Sequence, residues 1–220
     1  MLSAVNKTFT VTIPHNVGIP ADKAIIALEM GVEHNCGPVW PPFLRTNFGE
    51  FKFEIPWVNM NTSRGDTTLF TYKSLILQDN KAEVLGSELL YDLNAHVAKI
   101  EMNSTSYMVD FNGKLMTAVF HNVSGREIFQ NASEYPYFDV YKQIASQTWY
   151  GKSDHICAHH DYDFDHAIVR PVTMSLTASD GLFPAFNLSG EVVEKGIDYP
   201  LGVAEIWANF TISAPTSCHD

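Results

Sequence analysis

Tyr107-Met108-Val109-Asp110-Phe111-Asn112-Gly113-Lys114-Leu115-Met116-Thr117-Ala118-Val119-Phe120-His121 reads as two alternating runs joined by a tight turn. Both central residues of a type I′ turn need positive φ, which Asn and Gly adopt at low cost, so Asn112-Gly113 predicts a β-hairpin. The alternation continues outward. Residues 8–13 (TFTVTI) read as a first strand, and from Phe48 onward the chain is strand-like: Phe48, Phe51 and Phe53, then Ile55-Pro56-Trp57-Val58, then residues 67–77. After a turn near residues 79–81, the apolar pattern resumes over residues 82–90. The closing strands are expected over residues 168–178, around Phe186 and Val192, and over residues 203–213. Two short helices are expected, over residues 21–30 behind Pro20 and over residues 137–146 with Ser133 as N-cap. Many short strands with two helices predict a mainly β, β-rich α+β domain, built as a barrel or a bent two-sheet sandwich.

The 220 residues suit one domain over 1–220, and no linker or repeat divides them. With 45% hydrophobic and 12% aromatic residues, the chain can build a core without metal or multiple disulfides. The net charge of -11 argues against nucleic acid and anionic membrane surfaces, which need a basic patch. No apolar run approaches the ~20 residues of a membrane-spanning helix. Met1-Leu2-Ser3-Ala4-Val5-Asn6 lacks a basic region followed by a long apolar one; Met1 is either native or stands where a leader was removed.

Seven N-x-[ST] triplets lie at Asn6, Asn61, Asn103, Asn122, Asn131, Asn187 and Asn209. Roughly two would arise by chance, so N-glycosylation and a secretory or extracellular location are expected. An occupied site must face solvent. On that rule Glu205 and Trp207 share the outward face of Asn209, while Ala204, Ile206, Ala208 and Phe210 point inward. Cys36, Cys157 and Cys218 fit one disulfide and one free thiol, with the pairing left open, and their spacing is not that of a zinc site.

The segment Leu85-Gly86-Ser87-Glu88-Leu89-Leu90-Tyr91-Asp92-Leu93-Asn94-Ala95 resembles the acetoacetate decarboxylase family, whose members carry Gly-Arg-Glu and then Pro-Lys-Lys. Upstream, Ile55-Pro56-Trp57-Val58 and residues 67–77 are similar in position. Downstream the Asn112-Gly113 hairpin, Leu115 to Phe120 and Pro200-Leu201-Gly202-Val203-Ala204-Glu205-Ile206 extend the likeness, which is best over residues 48–121. It implies a closed, cone-like antiparallel β-barrel with an apolar interior cavity. In that family the first lysine of the turn forms a Schiff base with a β-keto acid. Here Asn94 and Ala95 stand at the two lysines and Ser87 at the arginine, while Glu88 keeps the glutamate. An amide cannot form an iminium, so the resemblance implies chemistry without a Schiff base.

Glu88 in an apolar cavity would suit a general acid or base, with Asn94 and Tyr91 orienting a carbonyl or enolate. Trp57, Phe70, Tyr72 and Phe120 would form an aromatic wall, within a set that includes Trp40, Phe48 and Tyr107. Glu50 and Glu54 lie near the place of another acidic cavity residue of the family, Glu54 being the candidate for binding. The expected function is a cofactor-independent lyase, dehydratase or cyclase acting on a hydrophobic polyketide- or terpenoid-like molecule. The alternative from another class is a lipocalin-like carrier of an apolar ligand. Oligomers are common in the resembled family and leave a homo-oligomer open.

The run from His155 to His166 holds four histidines and three aspartates. Asp161, Asp163 and Asp165 lack the glycine and terminal glutamate of a calcium loop, and no second histidine pair is visible in sequence. A solvated loop without metal is the expectation.

Overall fold

A computed structural model of the chain describes residues 10–14, 17, 25–38, 40–60, 68–135, 138–182, 190–194 (backbone) and 202–219. The strands of the first half are β1 (Thr10–Val11), β2 (Ala27–Cys36), β3 (Thr46–Asn59) and β4 (Leu69–Gln78). Helix α1 (Lys81–Tyr91) follows, then β5 (Ala95–Val97), β6 (Lys99–Met102), β7 (Ser106–Phe111), β8 (Lys114–Asn122) and β9 (Gln130–Asn131). Beyond helix α2 (Phe138–Ala145) come β10 (Trp149–Tyr150), β11 (Ile156–Ala158), β12 (His160–Tyr162) and β13 (Ile168–Ala178). The last strands are β14 (Gly190–Glu194), β15 (Val203–Trp207), β16 (Phe210–Ile212) and β17 (Thr216–Ser217).

One sheet runs β1-β3-β4-β10-β11-β17, with β2 also on β3 and β5 also on β4; a second runs β14-β13-β8-β7-β6, with β9 and β15 also on β13. Strands β12 and β16 form a separate pair. Among the described residues the protein is thus mostly β with two α-helices. The expected closed barrel is not what forms: the strands make a curled half-barrel, and among the described residues no ladder joins the two main sheets. Each sheet instead buries one face against the other. Phe51, Phe53, Leu75 and Leu77 of the first meet Tyr107, Val109, Met116, Ala118, Met174 and Leu176 of the second.

The Asn112-Gly113 turn is as read. Asn112 has φ 56° and Gly113 φ 78°, Phe111 pairs with Lys114, and Gly113 N donates to Asp110 Oδ1 at 3.0 Å. The helix expected over residues 21–30 is corrected where it is described. From Ala27 the chain is strand β2, because Leu28 and Met30 alternate with Glu29 and Gly31 and take the core side of a sheet. Residues 82–90 correct in the other direction, from continued strand to helix α1. Asn80 caps it by accepting from Ala82 N at 2.9 Å, and only Val84 among its residues is buried. Its leucines, Leu85, Leu89 and Leu90, are exposed. Helix α2 is found, with Tyr137 outside the described residues. Ser133 is not its cap: Ser133 lies in a short 3₁₀ turn that Asn131 caps by accepting from Ser133 N. The stretch around Phe186 likewise lies outside the described residues.

Of the sequons, Asn6, Asn61 and Asn187 lie outside the described residues; Asn103, Asn122, Asn131 and Asn209 are all exposed. Around Asn209, Trp207 faces out while Ala204 and Ala208 pack inward as expected. Ile206 does not: it is 39% exposed, on a strand that among the described residues pairs with β13 alone. Cys157 and Cys218 form the disulfide and Cys36 is free.

Candidate active site

Strand β3 divides its residues by parity. Phe51, Phe53 and Ile55 enter the core between the sheets, so Glu50, Lys52 and Glu54 must emerge on the opposite face. Residues paired across antiparallel strands share a face, which places Glu29 beside Lys52 and Gln78 beside Glu50. Lys73 reaches this face through an irregularity. The register of β3 on β4 shifts between Phe53 and Glu54, leaving Ser74 as an extra residue, so that Leu75 pairs with Phe53 and Lys73 with Glu54. Without that bulge, strict alternation would turn Lys73 into the apolar core. Asn94 braces the bulge: its Nδ2 donates to Ser74 O at 2.8 Å, and its carbonyl accepts from Ile76 N at 3.0 Å.

The face so assembled is a buried charge cluster. Lys52 Nζ meets Glu50 at 2.6 Å and both Glu29 and Glu33 at 3.1 Å, with 8% of its side chain exposed. Gln78 Nε2 donates to Glu50 Oε1 at 2.7 Å, and Ser87 Oγ on α1 donates to Gln78 Oε1 at 3.4 Å. Lys73 is ion-paired with Glu54 and lies 5.0 Å from the centre of the Trp149 ring. Strand β12 supplies the other wall. Trp149 Nε1 donates to His160 Nδ1 at 3.2 Å, which leaves the His160 proton on Nε2. Tyr162 packs against His160 at a tilt and Phe210 meets it edge to face. Glu29, with 37% of its side chain exposed, marks the edge open to solvent.

Burial and the neighbouring charges pull these groups apart. Burial pushes the Glu50 carboxyl up to about 8, which Lys52 resists and Glu33 reinforces. Glu33 also loses water, yet Lys52 and hydrogen bonds from Glu50, Lys52 and Cys36 outweigh that and hold it at about 2. Lys52 bridges Glu33 and Glu50, whose titrations are thus pulled in opposite directions and coupled to each other. Burial raises Glu54 against the pull of Lys73, while Lys52 and Lys73 overcome burial to lower Glu29. Glu50, Glu29 and Glu33 together hold Lys52 well above the ordinary lysine range despite its burial. Burial and then Lys73 depress His160, which is neutral at working pH. The Cys36 thiol, raised by burial and Glu33 to about 12, is no nucleophile.

Of the residues singled out in the sequence, Glu50 and Glu54 lie in this cluster. Glu88 does not line an apolar cavity. It sits on α1 with 35% of its side chain exposed, ion-paired to Lys152 at 3.1 Å, because α1 turns it outward. Tyr91 packs on the Trp149 ring and points its hydroxyl at Ser213 O, 3.4 Å away. Phe70, Tyr72 and Phe120 belong to the core between the sheets, whereas Trp57 packs with Val17, Ile25 and Val140. Trp40 is exposed. Sequence reading missed Glu29, Glu33, Lys52, Lys73, His160 and Tyr162. A signal was present: Glu50-x-Lys52-x-Glu54 puts a charge at every second position of a strand whose other positions are Phe and Ile.

No protein-family model and no curated protein sequence matches the chain. Among solved structures it is similar to the acetoacetate decarboxylase of Legionella pneumophila subsp. pneumophila strain Philadelphia 1. The TM-score is 0.50 at 8% identity, over 95% of this chain and 82% of that one. The fold is acetoacetate-decarboxylase-like. At this identity the likeness carries the fold alone, and the residues of the site stand on their own geometry. No helix among the described residues is long and apolar enough to cross a membrane.

Proposed function

We propose that the protein is a cofactor-independent acid–base enzyme of the lyase or isomerase class, acting on a flat, hydrophobic carbonyl compound without a Schiff base. The observation that carries this reading is the buried cluster in which Glu50, Glu29 and Glu33 crowd the single ammonium of Lys52 at 2.6, 3.1 and 3.1 Å, an arrangement that pushes Glu50 up and holds Glu33 down. A carboxylic acid that titrates near working pH can deliver and recover a proton in the transition state, typically worth about 10²–10⁴ in rate. Lys52, fixed as an ammonium 2.6 Å from Glu50, would stabilise negative charge developing on a carbonyl oxygen. An iminium needs a free neutral amine. Lys52 is locked by Glu29, Glu33 and Glu50, and Lys73 Nζ is taken by Glu54, which favours non-covalent catalysis. The rings of Trp149, Tyr162 and Phe210 beside the cluster favour a hydrophobic, unsaturated substrate of the polyketide or terpenoid kind.

The compartment belongs to the same proposal. A disulfide and four exposed sequon asparagines support passage through an oxidising, glycosylating pathway.

The test is proton exchange at carbon. Wild type and Glu50→Gln are incubated in D₂O with acetoacetate and with 2-acetylcyclohexanone, and α-deuteration is followed by NMR. Wild type should accelerate exchange into at least the hydrophobic diketone, and Glu50→Gln should lose about 10²-fold or more. Borohydride added during turnover should trap no lysine adduct. Equal exchange in both proteins would remove Glu50 from the mechanism; a trapped adduct on Lys73 would replace the reading with Schiff-base chemistry.

A further inference from the structure

The His155–His166 run holds no complete metal site in sequence, but the fold supplies a ligand from 64 residues beyond His155. Strand β11 pairs with β17, Ile156 opposite Ser217 and Cys157 opposite Thr216, and Cys218 N donates to His155 O at 3.3 Å. The Cys157–Cys218 disulfide locks these segments together one residue from His219 and two from His155. The result is a three-residue group, Asp154, His155 and His219, with one donor atom from each and all three donors within 4.8 Å of one another. The two imidazoles meet edge to face, with centroids 6.0 Å apart at 65°.

We propose that Asp154, His155 and His219 form a binding site for a divalent ion of the zinc class. Two imidazole nitrogens and one carboxylate oxygen are a donor set that such ions take, with water completing the tetrahedron. Zinc–nitrogen bonds of about 2.0–2.1 Å at tetrahedral angles put donors about 3.4 Å apart. The present group therefore has to close by little more than 1 Å. Both histidines are exposed and Asp154 is half-buried, and a movement of this size is within the reach of side-chain rotation. The backbone does not have to move, because the disulfide and the β11–β17 pairing already hold the two histidine-bearing segments side by side. This cost is settled when the chain folds, and the ion meets a pair of imidazoles already gathered. The site is separate from the charge cluster on β2, β3 and β4, and its existence does not depend on the activity proposed for that cluster.

The measurement is isothermal titration calorimetry of the full oxidised chain with ZnCl₂ after removal of metals by chelation. Wild type should bind one Zn²⁺ per chain. His155→Ala and His219→Ala should each weaken binding at least about tenfold, the loss that even outer-shell changes cause. His121→Ala, an exposed histidine on β8, is the control and should bind as wild type does. All three positions are exposed, so the variants keep the fold. No stoichiometric binding by wild type, unchanged affinity in His219→Ala, or an equal loss in His121→Ala would each overturn the proposal, the last by showing only generic surface binding.

Discussion

Glu88 and Glu50 are both glutamates bonded to a lysine, at 3.1 and 2.6 Å, and the resemblance to a known family drew attention to both regions. Their surroundings make them different chemical objects. On α1, Glu88 and Lys152 have 35% and 42% of their side chains in water, where a single ion pair is worth ~0–1 kcal/mol and salt screens it. On β3, Glu50 and Lys52 each have 8% exposed, and Glu50 must share one lysine with Glu29 and Glu33. Water stabilises the first pair whatever its partner does. The second group has only its own members to balance the cost of burial, and it settles by keeping a proton on Glu50. A motif match names residue types; the environment decides which of them can do acid–base work.

The sharpest way to break this contrast is to remove the shared cation. Lys52→Met keeps the length and apolar stem of the side chain but leaves Glu29 and Glu33 without their main partner. Losing one partner of a buried pair costs about 3–5 kcal/mol, so the urea midpoint should fall steeply at pH 7. A loss below about 1 kcal/mol would mean that the cluster is hydrated like the surface pair.

The next effect is a slope against pH. Unfolded glutamates titrate near 4.5, whereas folded Glu50 titrates near 8. Between those values the native state holds more protons than the unfolded one, so stability falls as pH rises from about 4.5 to about 8. Glu33 acts in the opposite sense: its contribution is present above 4.5 and is lost as pH drops toward 2. Glu50→Gln should abolish the decline on the alkaline side, worth on the order of a few kcal/mol, and leave the acid side in place. Denaturant unfolding at pH 3, 5, 7 and 9 separates the two limbs. An unchanged alkaline limb would show that Glu50 titrates as an exposed residue does.

Much of this was legible in the sequence where the information is local. Asn112-Gly113 specified its hairpin because positive φ at two adjacent residues depends on those residues alone. The count of cysteines gave one disulfide and one thiol, but only β11 meeting β17 selects Cys157 with Cys218. Residues 82–90 misled because their leucines imply burial, and α1 leaves them exposed. The charge cluster was hidden for a deeper reason. Lys73 and Glu54 are 19 residues apart in sequence and share a face only through the extra residue at Ser74, which no alternation rule anticipates. Asn94, picked out as the successor of a catalytic lysine, is observed bonding that bulge. Asn94→Ala should therefore cost about 1–3 kcal/mol through the unpaired Ser74 carbonyl, visible as a lower thermal midpoint.

The smallest expected effect closes the comparison from the other side. Glu88→Gln removes a charge that a motif-based reading would place at the centre of catalysis. Lys152 loses an ion pair but keeps water, and nothing buried is stranded. Stability should fall by about 0.5 kcal/mol or less at low salt, and by nothing measurable at 1 M NaCl, where screening acts over about 3 Å. Deuterium exchange at the α-carbon of 2-acetylcyclohexanone should be unchanged, in the same assay in which Glu50→Gln is expected to fail. The two variants make the same isosteric change at the same residue type. A large loss in Glu88→Gln with none in Glu50→Gln would reverse the assignment and return the proton transfer to α1. The opposite result would tie it to the face where burial, rather than sequence likeness, has set the acid.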